Sequence, residues 1–321
     1  GGAGTRGGPV GMGVARRGGP GGGVGRRGGW GAQDGGETDG RSKPFEGLAW
    51  GLASAGVAVL RFDKVTYSHP REVNEAGDIT VVEEYVTHAV AAVRMLQANP
   101  HVDASRVFVL GHSLGGTVAP RVAAAEPSVA GLVILAGGTQ PLHWAAVRQV
   151  RYLASLDPNT AAASQPVIEA MSRQAALVDS QDLSPSTPAS QLPFGVPAPY
   201  WLDLRGYQPV DVAAAIGKPM LILQGGRDYQ VTTADDLAGW KTGLAHQPAV
   251  TIHIYDPDNH LFFSGTGPSA PAEYEPAPHM DPPVAPALAP WLTAARRPRG
   301  SSGHRARPPC PAPRARPHQP R

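Results

Sequence analysis

This sequence predicts an α/β fold built on a mostly parallel sheet flanked by helices, and three observations carry that reading. Short runs rich in Val, Ile and Leu recur between Gly56 and Tyr255, each bounded by Gly, Pro or Asp, as buried strands are. Helix-patterned segments separate them, which is the alternation of a sheet with its crossover helices. One run leads straight into Gly111-His112-Ser113-Leu114-Gly115, a G-x-S-x-G turn from strand to helix.

The strands are expected at Gly56–Phe62 (GVAVLRF), Arg106–Leu110 (RVFVL), Leu132–Leu135 (LVIL), Met220–Leu223 (MLIL) and Val250–Tyr255 (VTIHIY). Thr80–Ala98 reads as a helix, because Val82, Tyr85, Val86, Ala89, Val90, Val93 and Leu96 fall on one face. Thr80 and Glu83 form the S/T-x-x-E pattern of a capping box at its start. Further helices are expected at Leu114–Ala125, Val231–Leu244 and Pro286–Ala295. Residues 140–215 break the rhythm. They hold amphipathic pieces at Trp144–Leu156 and Val167–Val178, then Pro/Ser-rich sequence to about Pro199, and read as a cap inserted between two strands.

The chain has 321 residues, 28 of them basic and 26 acidic. Thirteen of the basic residues are Arg in two acid-free ends, residues 1–28 and 296–321, so the stretch 29–295 carries a balance of −11. Nineteen of the 40 Gly lie in the first 40 residues. Both ends have too little apolar surface to offset ordering entropy and are expected to be disordered. An RGG-like nucleic-acid arm is the alternative for them, but Trp30 is the only aromatic near the N-terminal run, and no nucleic-acid partner is expected. No apolar run reaches membrane-spanning length, so no membrane partner is expected. No secretory h-region follows the first Arg residues, and the chain does not open on Met, so its natural start is expected to be missing. The single cysteine, Cys310, excludes an intramolecular disulfide and a thiolate zinc cluster. It fits any compartment, with the cytoplasm as the default.

The G-x-S-x-G pattern is weak alone in so Gly-rich a chain. Its context strengthens it, since RVFVL runs into Gly111 and a helix-compatible run begins at Ser113. A serine nucleophile needs a base and an orienting acid, which follow it in the order Ser, Asp/Glu, His in such folds. Asp228 sits in the turn Gly225-Gly226-Arg227-Asp228 after a strand, at the carboxyl end where open α/β sheets place their sites. Asp235 and Asp236 compete from within the next helix, and Asp211 precedes the strand at the wrong end. His260 follows the last strand and is the expected base. His279 competes from a later loop, while His253 lies inside the strand. His112 is expected to point away from the reacting centre and to pack against the scaffold.

The stretch from about Gly29 to Ala295 resembles the α/β-hydrolases, and more narrowly bacterial esterases and peptidases akin to dienelactone hydrolases and the prolyl-oligopeptidase catalytic domain. The residues that carry the resemblance are LRFDK at 60–64, RVFVLGHSLGG at 106–116, LILQGGRDYQV at 221–231 and NHLFF at 259–263. It implies a Ser113–His260–Asp228 triad and a serine hydrolase acting on a small-molecule ester, amide or peptide without a metal or organic cofactor. The oxyanion donors would be the backbone N–H of Leu114, which also follows from the position of Ser113, and that of Trp30, which rests on the resemblance alone.

The N-terminal side departs from that family. A hydrophobic strand ending in His-Gly is expected before the oxyanion loop, but Gly28 stands in the His position and GGGVGRR in place of the strand. An N-terminal core strand is therefore expected to be missing, leaving a gap between the Gly56–Phe62 and Arg106–Leu110 strands. A catalytically impaired relative is the rival reading that this gap raises.

Overall fold

A computed structural model describes residues 11–17, 44–275, 280 and 284–294. In chain order the elements are β1 (Gly11–Arg17), α1 (Pro44–Ser54), β2 (Val57–Phe62), the short helices α2 (Val65–Ser68) and α3 (Pro70–Ala76), and α4 (Thr87–Gln97), which continues a π-turn at Val82–Val86. Then come β3 (Val102–His112), α5 (Leu114–Ala125), β4 (Gly131–Leu135), α6 (Leu142–Leu156), α7 (Pro158–Asp179), α8 (Ala198–Arg205) and α9 (Pro209–Ile216). The chain continues through β5 (Met220–Gly225), a π-turn at Thr233–Leu237 leading into α10 (Ala238–Gly243), β6 (Val250–Tyr255) and α11 (Val284–Ala294). Each strand and helix expected from the pattern is present, shifted by a few residues at its ends. The Thr80 start is capped as expected: the Glu83 carboxylate accepts the Thr80 backbone N–H at 2.9 Å, and the Val82 N–H donates to the Thr80 hydroxyl at 3.1 Å.

The six strands form one sheet in the order β2-β1-β3-β4-β5-β6, with β3 to β6 parallel. Successive side chains on a strand face opposite sides, and the core divides accordingly. Val107, Val109, Leu132, Ile134, Met220 and Ile222 face α4, α5, α9 and α10. Phe108, Leu110, Val133, Leu135, Leu221 and Leu223 face α1 and α11. Helices thus cover both faces, as the near-continuous apolar strands require. Among the described residues no helix is long and apolar enough to cross a membrane.

Contrary to expectation, the gap between β2 and β3 is filled. Strand β1, from the end expected to be disordered, lies between them and runs antiparallel to both. Its register places Val14 opposite Val59 on one side and opposite Phe108 on the other. The physical reason is a main-chain one. An open slot in the middle of a sheet leaves two rows of N–H and C=O groups without partners, and any extended segment of the right length satisfies them. The Gly- and Arg-rich composition of GMGVARR concealed this, because ladder pairing does not depend on apolar side chains.

Helices α6 to α9 lie between β4 and β5 and occupy the stretch read as an insertion. They have a small core of their own, in which Val178, Leu183, Leu192, Ala198 and Trp201 are buried. Leu183 and Leu192 come from the Pro/Ser-rich run, so that run is packed despite its composition.

Candidate active site

The carboxyl ends of parallel strands lie at one edge of the sheet, and three of them carry the candidate residues. Ser113 follows β3, Asp228 lies three residues beyond β5, and His260 lies five beyond β6. Ser113 has φ 54° and ψ −125°, a left-handed backbone that a non-glycine residue adopts only under constraint. The constraint is visible. The Ser113 N–H donates to the Leu135 carbonyl at 2.9 Å, and the Ser113 carbonyl accepts the Thr117 N–H at 3.0 Å, opening α5. A side chain at Gly111 would overlap the Gly115 backbone, with the Gly116 nitrogen only 2.7 Å from its Cβ. The turn therefore requires glycine there.

His260 and Asp228 are 4% and 5% exposed, and they are joined by a hydrogen bond of 2.8 Å between His260 Nδ1 and Asp228 Oδ2. A carboxylate oxygen only accepts, so Nδ1 is the donor in this bond. Asp228 Oδ2 also accepts from Gln224 Nε2 at 3.1 Å, and Oδ1 accepts the N–H groups of Gln230 and Val231 at 2.8 and 3.0 Å. The acid and base loops cross closely. A side chain at Gly225 would meet the Asp258 and Asn259 carbonyl oxygens, and the Arg227 N–H donates to the Asp258 carbonyl at 2.9 Å.

The other sequence candidates separate cleanly. His253 is exposed on β6, Asp211 sits in the first turn of α9, and His279 lies outside the described residues, as does Trp30. Asp236 is buried, but it bonds to Arg148 and to the N–H groups of Thr139, Gln140 and Thr232 rather than to a histidine. The Leu114 N–H is at the first position of α5, where a helix leaves its donors free of intrahelical partners.

His112 packs closer to the centre than expected. Its ring centroid is 4.6 Å from that of His260, and its Nε2–H donates to the His260 carbonyl at 2.8 Å. Burial lowers its pKa from 6.5 to about 3, with the neighbouring His260 acting in the same direction. An unfolded chain takes up this proton near pH 6.5, and the folded one does so only near 3, so the unfolded state binds more protons between those values. Stability is expected to fall as pH drops through this window. His112→Gln keeps an Nε2 donor but cannot titrate, and its urea midpoint should fall less steeply between pH 6.5 and 4.5. Parallel slopes for the two proteins would contradict this.

Sequence reasoning passed over Gln224 and the role of Asn259. Asn259 is fully buried. Its Oδ1 accepts the N–H groups of Leu261 and Phe263, each at 3.1 Å, so it folds the turn around His260. An Asx turn beside the base is a readable local signal. Gln224 gave none, because its partner is identified only by the loop geometry. Beside Ser113 and Leu114 lies a cavity of about 230 Å³, lined also by Pro141, His143, Asp179 and Tyr207. No cluster of three or more His, Cys, Asp or Glu side chains suited to a metal exists among the described residues.

A mostly parallel sheet covered on both faces, with a strained serine after β3 and an Asp–His pair after β5 and β6, defines the α/β-hydrolase class. Within that class the chain belongs to the serine aminopeptidase family S33, whose pattern matches residues 39–264. The chain is 36% identical to esterase EstD of Thermotoga maritima over 264 residues, which is 82% of this chain. It spans 60% of that relative's length. Among solved structures it is similar to Est1E from Butyrivibrio proteoclasticus, at 14% identity and a TM-score of 0.48, covering 79% of this chain and 82% of that one. It is also similar to the esterase domain of a Rhodothermus marinus protein, at 17% identity and a TM-score of 0.44, covering 77% and 79%.

Proposed function

We propose that this protein is a serine hydrolase that cleaves a carboxylic ester through an acyl-enzyme, with Ser113, His260 and Asp228 as its triad. The observation that carries the reading is the buried 2.8 Å bond between His260 Nδ1 and Asp228 Oδ2, in loops that share a sheet edge with the strained Ser113 turn. In this reading Ser113 Oγ attacks the acyl carbonyl while His260 Nε2 takes its proton. His260 then returns the proton to the leaving group, and Asp228 holds the tautomer and stabilises the imidazolium. Water enters as the second nucleophile, activated by the same base, and releases the acid. The Leu114 N–H donates to the developing oxyanion, and the Trp30 N–H is the proposed second donor. One such donor contributes about 10²–10³ in rate.

An ester is favoured over an amide because the Thermotoga relative is named an esterase. The impaired-relative reading loses its main support, since β1 occupies the slot whose vacancy suggested it. The test is covalent labelling of the full chain by a fluorophosphonate, with the adduct located by mass spectrometry. The expected result is a single adduct on the peptide containing Ser113. A folded chain that takes no label, or takes it elsewhere, would remove the proposal.

A further inference from the structure

We propose that helix α6 of the insertion aligns the acid–base pair, with Arg148 and Tyr152 as positioning residues. This rests on the triad reading above. The two residues are four apart, hence on one face of the helix. Arg148 reaches the acid loop. Its guanidinium donates to the Gln230 carbonyl at 3.0 Å, to Asp236 Oδ2 at 2.7 Å and to Asp235 Oδ2 at 3.0 Å. The Gln230 main chain is thus held on both sides of its Cα: its carbonyl accepts from Arg148, and its N–H donates to Asp228 Oδ1. Arg148 is separated from the acid of the pair by that one residue.

Tyr152 reaches both loops. Its ring stacks on Tyr229, the residue after Asp228, with centroids 4.8 Å apart and planes 10° from parallel. Its hydroxyl donates to the Ser269 carbonyl at 2.8 Å. Ser269 Oγ donates to Glu273 Oε2, and the same oxygen accepts from Asn259 Nδ2 at 2.9 Å. Arg227 pairs with the other oxygen of Glu273. Asn259 is the residue that folds the turn around His260. The chain of contacts therefore runs from Tyr152 through Ser269, Glu273 and Asn259 to the base. Another part of α6, including His143 and Gln149, lines the cavity beside Ser113. One rigid helix thus touches the space next to the nucleophile and braces both partners of the pair. Precise placement of a base is where small displacements cost most, since an error of about 1 Å lowers rate about 10²-fold.

The test uses the full chain, with 4-nitrophenyl acetate as substrate and the fluorophosphonate as label. Arg148→Met is expected to lower kcat and the labelling rate about 10- to 100-fold with KM little changed. Arg148→Lys keeps the charge without the planar fork and should recover part of that loss. Tyr152→Phe keeps the stack on Tyr229 and removes one hydroxyl. It should lower kcat about fivefold, the effect of one hydrogen bond, and it carries the test if Arg148→Met does not fold. Asp203→Asn breaks the Arg121–Asp203 pair between α8 and α5, away from both loops. It should lower the melting temperature and leave kcat unchanged.

Wild-type kcat in Arg148→Met and Tyr152→Phe, beside an inactive Ser113→Ala, would overturn the positioning role and leave the triad standing. An equal fall in Asp203→Asn would also overturn it, because general loosening of the insertion would then account for the loss. A Ser113→Ala chain that turns over normally would overturn both readings together.

Discussion

Ser113→Ala is expected to lower kcat about 10⁶-fold on an activated ester, and His260→Ala by a similar factor. The double variant should be no worse than either single one. The nucleophile is useless without a base to take its proton, so removing the second partner of a disabled pair costs nothing more. Asp228→Asn should cost less, about 10⁴-fold, because the ring and the serine remain but the tautomer is wrong. An amide at 228 offers His260 Nδ1 a donor as readily as an acceptor, and the four N–H groups now aimed at the carboxylate favour a charged oxygen pair. Single-turnover release of 4-nitrophenol from the purified variants measures all four. Losses that multiply in the Ser113→Ala/His260→Ala variant would mean the residues act independently, and the triad would have to be abandoned.

Removal of residues 1–17 is expected to abolish cooperative folding. Strand β1 pairs in register with six residues of β2, and with five of β3 across a register shift between Ala15 and Arg17. Its loss separates β2 from the rest of the sheet and strips two ladders of their partners. Each buried polar group left unsatisfied costs about 1–3 kcal/mol, against a total stability for a domain of about 5–15 kcal/mol. One or two orphaned groups would fit within that margin, but losing the partners along both ladders exceeds it. Thermal melting followed by circular dichroism gives the answer. A truncated chain with a sharp transition within a few degrees of the full one would show that β1 is dispensable and that the sheet closes without it.

Much of the molecule was legible in one dimension because its signals are local. A strand such as Leu132–Leu135 is apolar at every position since both of its faces are buried, and that run needs no knowledge of its neighbours. The Ser113 turn is legible because glycine at 111 is dictated by the backbone atoms of residues 115 and 116, a few positions away. Asp228 and His260 were legible through their places after strands, since parallel strands bring their carboxyl ends to one edge whatever lies between.

Other features lay beyond that reach. Composition placed Gly11–Arg17 outside the fold, yet two ladders claim it, because hydrogen bonding between strands reads the backbone and not the side chains. His112 carries no local mark of its position against His260, 148 residues away in the chain. Asp236 and Arg148 are 88 residues apart, and neither position is distinctive until the insertion folds back on the sheet edge. The candidate chemistry is therefore written in short motifs, each shaped by its own turn. The bracing around it exists only where remote loops meet, because a contact between distant residues depends on the path of the chain between them and leaves no periodic trace in either segment.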